Sequence, residues 1–341
     1  MQIRALIIQT AFIGDVILTL PLAQVLKNKL DAEVDFLCIP KTSILLKDNP
    51  NIDNIIIYDK KRKDKGVKSF NRISKKIKFR RYDYVISPHR SLRSTLLSYF
   101  SKADMTIGFD TAALSKLYNN RVKYIKNIHE ISRNLKLLEP IGITCEDIVR
   151  PDLFFHDDDI KVVELLLKQF HISMGDKYIT IAPGTIWQTK RFPEYKIIEI
   201  LDKLDDDGVP VVLIGDKSDM ELCRFILDST KNKKVYSAAS KLSILQSAYL
   251  IKKSGVLLTN DSAPLHLANA VETKVIAVFG ATIPEFGFYP YGKNDEVIQT
   301  TGLKCRPCAI HGGNKCPIKT FDCMRNIDSD EVYRKIVESL S

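Results

Sequence analysis

Short runs of aliphatic and β-branched residues alternate along the chain with stretches whose apolar positions recur every three or four residues. In the first half the runs are Ile3–Ile8, Glu33–Ile39, Ile52–Tyr58, Tyr82–Ser87 and Met105–Phe109. After the first of them, Val16, Leu20, Ala23, Leu26 and Leu30 carry helical spacing. The pattern restarts with Tyr178–Ala182, Val209–Ile214, Val235–Ser237, Gly255–Thr259 and Lys274–Phe279. Between these lie helical patterns over Glu194–Leu204, Lys217–Leu227, Leu242–Lys252 and Ala263–Ala270. Such alternation predicts βαβ units and parallel sheets, hence an α/β fold. An acidic, irregular stretch, Pro151–Asp159, separates the two series and is followed by a helical pattern over Ile160–Phe170. The expected organisation is two Rossmann-like, doubly wound domains facing a central cleft, over residues 1–160 and 161–327. A closing amphipathic helix over residues 328–341 is expected to pack back toward the first domain.

The length, 341 residues, fits two domains that each bury a core. Hydrophobic residues make up 45% and charged residues 27%, which excludes a disordered chain. No apolar run is long enough to span a bilayer, and the polar start Met1-Gln2-Ile3-Arg4 is no secretory leader, so a cytoplasmic protein is expected. The formal net charge is +10, but it is unevenly spread. Residues 1–150 hold 27 Lys+Arg against 15 Asp+Glu, whereas the remainder is slightly acidic. Lys60 to Arg81 alone carries 12 basic residues and one acid, Asp64. Two readings stand: a solvated, Lys-rich helix face, or an anionic partner for the first half only.

Ligands of open parallel sheets bind beyond the carboxyl ends of the strands, so the loops that follow strands carry the chemistry. Three stand out. Gln9–Val16 turns on a single glycine, Gly14, and places Asp15 at a helix start. It lacks both the G-x-G-x-x-G fingerprint and a phosphate-loop Gly-Lys pair. Asp15 either caps its helix or is a carboxylate at the mouth of the sheet, kept in its charged form by the helix N-terminus and suited to general-base work. Ala182–Pro193 is dense in donors (Thr185, Gln188, Thr189, Lys190, Arg191), as a phosphate or a developing oxyanion would require. Thr259–His266 has Asp261 or Ser262 as helix cap and Pro264 in the first turn, with Ser262 and His266 on one face of the helix near its positive end.

Four of the seven cysteines lie close together: Cys305-x-x-Cys308, Cys316 and Cys323. They are compatible with a structural zinc, with free or redox-labile thiols, or with disulfides.

The three loops together resemble glycosyltransferase family 9, the bacterial heptosyltransferases of lipopolysaccharide core synthesis. The matching residues are Gly14–Pro21, Lys190-Arg191-Phe192-Pro193 and Asp261–Ala268, and the tail Cys305-Arg306-Pro307-Cys308 through Cys323-Met324-Arg325 is similar to tails of the heptosyltransferase II branch. The resemblance implies a GT-B fold and an inverting transfer of heptose from ADP-L-glycero-β-D-manno-heptose, with no obligatory metal or other cofactor. It assigns the general base to Asp15 and neutralisation of the departing ADP to Lys190. It implies donor contacts from Thr185, Asp261, Ser262, Ala263 and His266, with Asp219 or Glu221 as the acid facing the adenosine ribose. Ile186 stands where some members carry a second threonine. The acceptor it implies is an anionic lipid A–Kdo glycolipid at the inner face of the inner membrane. Lys60, Lys61, Arg62, His89, Arg90 and Arg93 are the candidates for holding that acceptor or touching the membrane surface. A family 9 enzyme with another nucleotide sugar or glycan is the alternative. A nucleic-acid-binding protein is a remote one, because no recognised motif and few stacking aromatics accompany the basic stretch.

Overall fold

A computed structural model describes residues 2–60, 62 and 65–340. It divides into two compact units, Met1–Phe154 and Phe155–Ser341, so the second unit begins slightly before the expected boundary. The difference lies in Pro151–Asp159: Asp157, Asp158 and Asp159 form the first turn of the helix Asp157–Gln169, where carboxylates suit the helix dipole.

Among the described residues the first unit contains a six-stranded parallel sheet: β1 (Arg4–Ile8), β2 (Glu33–Cys38), β3 (Asn54–Ile57), β4 (Tyr84–Ser87), β5 (Met105–Phe109) and β6 (Asn120–Val122). Its spatial order is β3-β2-β1-β4-β5-β6. The second unit repeats the plan with β7 (Ile179–Ala182), β8 (Val211–Leu213), β9 (Val235–Ser237), β10 (Val256–Asn260), β11 (Lys274–Phe279) and β12 (Glu296–Gln299), in the order β12-β11-β10-β7-β8-β9. Both orders are that of a Rossmann-like doubly wound sheet, whose strand order reverses beside its first strand. The reversal falls between β1 and β4 in one unit and between β7 and β10 in the other. The α/β class and the paired Rossmann-like sheets of the GT-B expectation are therefore present.

Burial explains the sequence pattern. Ala5, Leu6, Ile7 and Ile8 are all fully buried, as expected for a central parallel strand covered on both faces. Register pairs Ile7 with Phe36 and with Ile86, and the helices cover what remains. The last element is the helix Ser329–Leu340. It packs within the second unit, burying Val332 and Ile336 among Ile200, Leu204, Val256 and Ile276. Ser329 Oγ donates to Glu199 Oε2 at 2.7 Å and fastens its start.

Candidate active site

The carboxyl end of β7 runs into Pro183–Pro193, and that of β10 runs into Asp261, Ser262 and the helix Ala263–Ala270. Adjacency of these two strands at the reversal brings together residues some 70 positions apart. Lys190 Nζ donates to Asp261 Oδ2 at 2.6 Å, and Thr282 Oγ1 donates to the same oxygen at 2.7 Å. Both partners of the ion pair are largely shielded from solvent, at 12% and 7% side-chain exposure. Asn260, the last residue of β10, clamps the two loops: its Nδ2 donates to the Pro183 carbonyl at 3.0 Å, and its Oδ1 accepts from the Phe192 amide at 2.8 Å.

Ser262 is the N-cap of the helix Ala263–Ala270, yet its side chain makes no capping bond; its Oγ lies 3.4 Å from Thr259 Oγ1. Pro264 in the first turn gives up no hydrogen bond, and the amides of that turn face the carboxyl end of the sheet. Ala263 is half-buried at the first helical position. His266, one turn further, is buried with its Nδ1 unpaired. Burial pushes its pKa down to about 4; Lys190 acts in the same direction and Asp261 opposes. In the unliganded chain the imidazole is thus neutral at physiological pH.

Thr185 and Ile186 both lie on the loop after β7, Thr185 half-buried and Ile186 exposed. Asp219 comes close to this loop. A Cβ on Gly184 would lie 2.0 Å from Asp219 Oδ1, so only glycine admits the carboxylate there. Glu221 is exposed on the helix Met220–Ser229. Of the two acids singled out in the sequence, Asp219 is the one at the strand ends.

The cysteine-rich tail also reaches the site. Thr189 and Gly313 exchange two hydrogen bonds, amide to carbonyl at 2.9 Å and amide to Oγ1 at 2.8 Å. The Cys308 amide donates to the Ala281 carbonyl at 2.9 Å. Arg306 holds the Thr282 carbonyl at 2.8 Å through its guanidinium. The segment therefore buttresses both Lys190 and Thr282. Its four thiols are unlinked by disulfides. Among the described residues no group of three or more His, Cys, Asp and Glu side chains is arranged to hold a metal ion.

In the first unit, Asp15 occupies the third position of the short helix Ile13–Ile17, directly after β1. Its Oδ2 accepts from the Phe12 amide at 3.2 Å, so the carboxylate does cap its helix. Across the strand reversal, the loop after β4 supplies His89 and Arg90. Thr10, unremarked in the sequence, links the group. Lys60 Nζ donates to the Thr10 carbonyl at 2.7 Å, and His89 Nδ1 lies 3.0 Å from Thr10 Oγ1. Burial, reinforced by Lys60 and Arg90, pushes the His89 pKa down to about 4 in the unliganded chain. Arg93 Nη1 donates to the Lys60 carbonyl at 3.4 Å, and Arg62 is exposed nearby in sequence. Lys61 lies outside the described residues.

A second group was missed in the sequence. The Arg90 and Arg133 guanidiniums lie 4.2 and 4.5 Å from the centre of the Tyr124 ring. Arg133 pairs with Glu130, one turn apart. Burial raises the Glu130 pKa to about 7; Arg133 opposes this, and the negative charge of Asp15 adds to it. Asn134 Nδ2 donates to the Leu18 carbonyl at 3.1 Å and holds this helix to the turn behind Asp15. The sequence signal was an ordinary i,i+3 acid–base pair, indistinguishable from a surface one.

Comparison with known proteins agrees with the motifs. The family model for glycosyltransferase family 9 (heptosyltransferase) matches residues 70–315. Lipopolysaccharide heptosyltransferase 3 of Escherichia coli K12 is 29% identical over 294 residues, covering 79% of this chain and 80% of its own. A family 9 glycosyltransferase from Veillonella parvula superposes with a TM-score of 0.88 at 20% identity, covering 99% of this chain and 97% of its own. The E. coli ADP-heptose lipopolysaccharide heptosyltransferase II does so with a TM-score of 0.80 at 21% identity, covering 99% and 98%.

Proposed function

The chain belongs to glycosyltransferase family 9 and is a glycosyltransferase, and from that premise we propose that it transfers a heptose from ADP-heptose to an inner-core lipopolysaccharide acceptor, with inversion. The observation that carries the reading is the division of chemistry between two strand reversals. A carboxylate follows β1 in the first unit, and a lysine, a carboxylate and a helix start surround the reversal in the second.

Attack of a hydroxyl on a sugar diphosphate needs a base for the incoming oxygen and positive charge for the leaving one. In the proposed reaction Asp15 accepts the proton of the acceptor hydroxyl as its oxygen bonds to the anomeric carbon. The bond from that carbon to the diphosphate oxygen breaks, and the electron pair leaves with ADP. Lys190 and the first-turn amides of Ala263–Ala270 offset the growing negative charge. Asp261 orients Lys190 and offers a carboxylate oxygen to the heptose hydroxyls. Ser262 and Ala263 lie on the diphosphate side, Thr185 on the donor loop, and Asp219 against the ribose. Lys60, Arg62, Arg90 and Arg93 supply the charge for a phosphorylated, lipid-anchored acceptor. The names of the related enzymes support the donor and the acceptor class.

Thermal unfolding in the presence of ADP, UDP and GDP tests the donor. At a hundredfold excess over its dissociation constant the right nucleotide adds about 2.7 kcal/mol. ADP alone should raise the transition markedly; a preference for UDP or GDP would replace ADP-heptose with another donor.

A further inference from the structure

The helix Val67–Arg80 carries Lys68, Arg72, Lys75, Lys76 and Lys78 and contains no acid. Its inner stripe is Ile73, Ser74 and Ile77, with Phe70 packed on the core of the first unit. At 100° per residue, Lys68, Arg72, Lys75, Lys76 and Phe79 fall together on the opposite, outward face. Phe79 is 87% exposed in the midst of these cations, and Val67 at the helix start is 75% exposed. A helix that only faces water gains nothing from a bare aromatic ring at the centre of its polar side.

The helix is also firmly held from behind. Arg80 turns inward, its Nε 3.1 Å from Asp35 Oδ2, and Tyr82 donates to the same carboxylate oxygen at 2.5 Å. The outward face is therefore presented on a fixed support about 21 Å long. A basic face around one exposed apolar side chain is the pattern of a helix lying in a membrane interface: cations meet lipid phosphates while the ring enters the headgroup boundary. Single-stranded nucleic acid would call for several stacking rings, and this face has one.

We propose that the outward face of Val67–Arg80 docks on an anionic lipid bilayer, with Phe79 entering the headgroup layer and Lys68, Lys75 and Lys76 on the lipid phosphates. The inference rests on the proposed function only in that a lipid-anchored acceptor would be held at such a surface. Vesicle binding needs neither donor nor acceptor, so either reading can fail alone.

The test is co-sedimentation of the full chain with vesicles of phosphatidylcholine, with and without phosphatidylglycerol, at low and high salt. The chain should pellet with the anionic vesicles at low salt and be released as salt rises. Each cation at the surface is worth about fivefold in partitioning, so Lys68→Glu/Lys75→Glu/Lys76→Glu should lower it by at least a hundredfold. Phe79→Ser should lower it roughly tenfold while leaving the thermal transition unchanged, because the ring is already in water. Transfer to a delipidated, soluble acceptor should be the same in both variants as in the parent. Equal pelleting with neutral and anionic vesicles would overturn the proposal. So would undiminished vesicle binding by the triple variant, or a stronger preference for single-stranded DNA than for anionic vesicles.

Discussion

Lys190 and Asp261, 71 positions apart in the chain, form a shielded 2.6 Å ion pair whose carboxylate also accepts from Thr282. In the proposed transfer Lys190 is the cation that meets the leaving diphosphate, and Asp261 neutralises it in the unliganded chain. Removing one partner strands the other in a low-dielectric setting, a loss of about 3–5 kcal/mol when a buried pair is broken. Lys190→Ala should therefore be destabilised, whereas Lys190→Met/Asp261→Asn should recover much of the loss in a denaturant titration. Its kcat should fall by about 10²–10³, the size expected for a donor that stabilises developing charge. An unchanged kcat would pass that role to Arg191.

Asp15→Asn keeps the shape of the residue but removes the carboxylate proposed as the base. Turnover should fall by about 10²–10⁴ while ADP binding, measured by calorimetry, stays as in the parent. The same substitution removes a charge that raises the Glu130 pKa, so Glu130 should titrate below its parent value of about 7 when followed by carboxyl NMR. A Glu130 titration indifferent to Asp15 would show that the two groups do not interact.

Gly312 has φ +81°, and a Cβ there would lie 2.9 Å from Lys190 Cδ. Gly312→Ala combines the left-handed strain of about 1 kcal/mol with displacement of the Lys190 stem. The expected result is a small drop in the melting temperature with a disproportionate drop in kcat. Equal effects on both Gly312→Ala and the exposed Gly302→Ala, which has φ +76° and open space around it, would show strain alone at work.

Stability should depend on pH in two opposed ways. His89 and His266 have pKa values near 4 in the folded chain against an ordinary 6.5, so between those values the unfolded chain binds more protons. Their contribution is complete above pH 6.5 and is lost as pH falls through 4. Glu130, raised from 4.5 to about 7, does the reverse: the folded chain holds the proton more tightly, and stability is lost as pH rises through that window. Each shift corresponds to roughly 3 kcal/mol. Denaturant midpoints should show His266→Gln flattening the acid limb and Glu130→Gln flattening the neutral one. Parallel curves for parent and variants would contradict both assignments.

Most strands were legible because a central parallel strand must be apolar on both faces, as Arg4–Ile8 and Lys274–Phe279 are after their first residue. The edge strands Asn120–Val122 and Glu296–Gln299 escaped notice, since each is short and buries a single residue, which leaves no apolar run to read. In the site, Asp15, Lys190 and Asp261 were visible as loop residues after strands. Thr282, the clamp by Asn260 and the support from Gly313 were not, because strand adjacency and tail folding create those contacts across tens of residues. Neutrality of His266 and His89 was equally hidden, for it comes from burial and not from local sequence.

The central claim is the transfer itself. ADP release should be followed with ADP-heptose, with a Kdo-containing acceptor, and with both together, in the parent and in Asp15→Asn. The account predicts release only when donor and acceptor are both present, with a heptosylated product in step and near-complete loss in the variant. Absence of product from ADP-heptose, alongside transfer from a different nucleotide sugar, would contradict it.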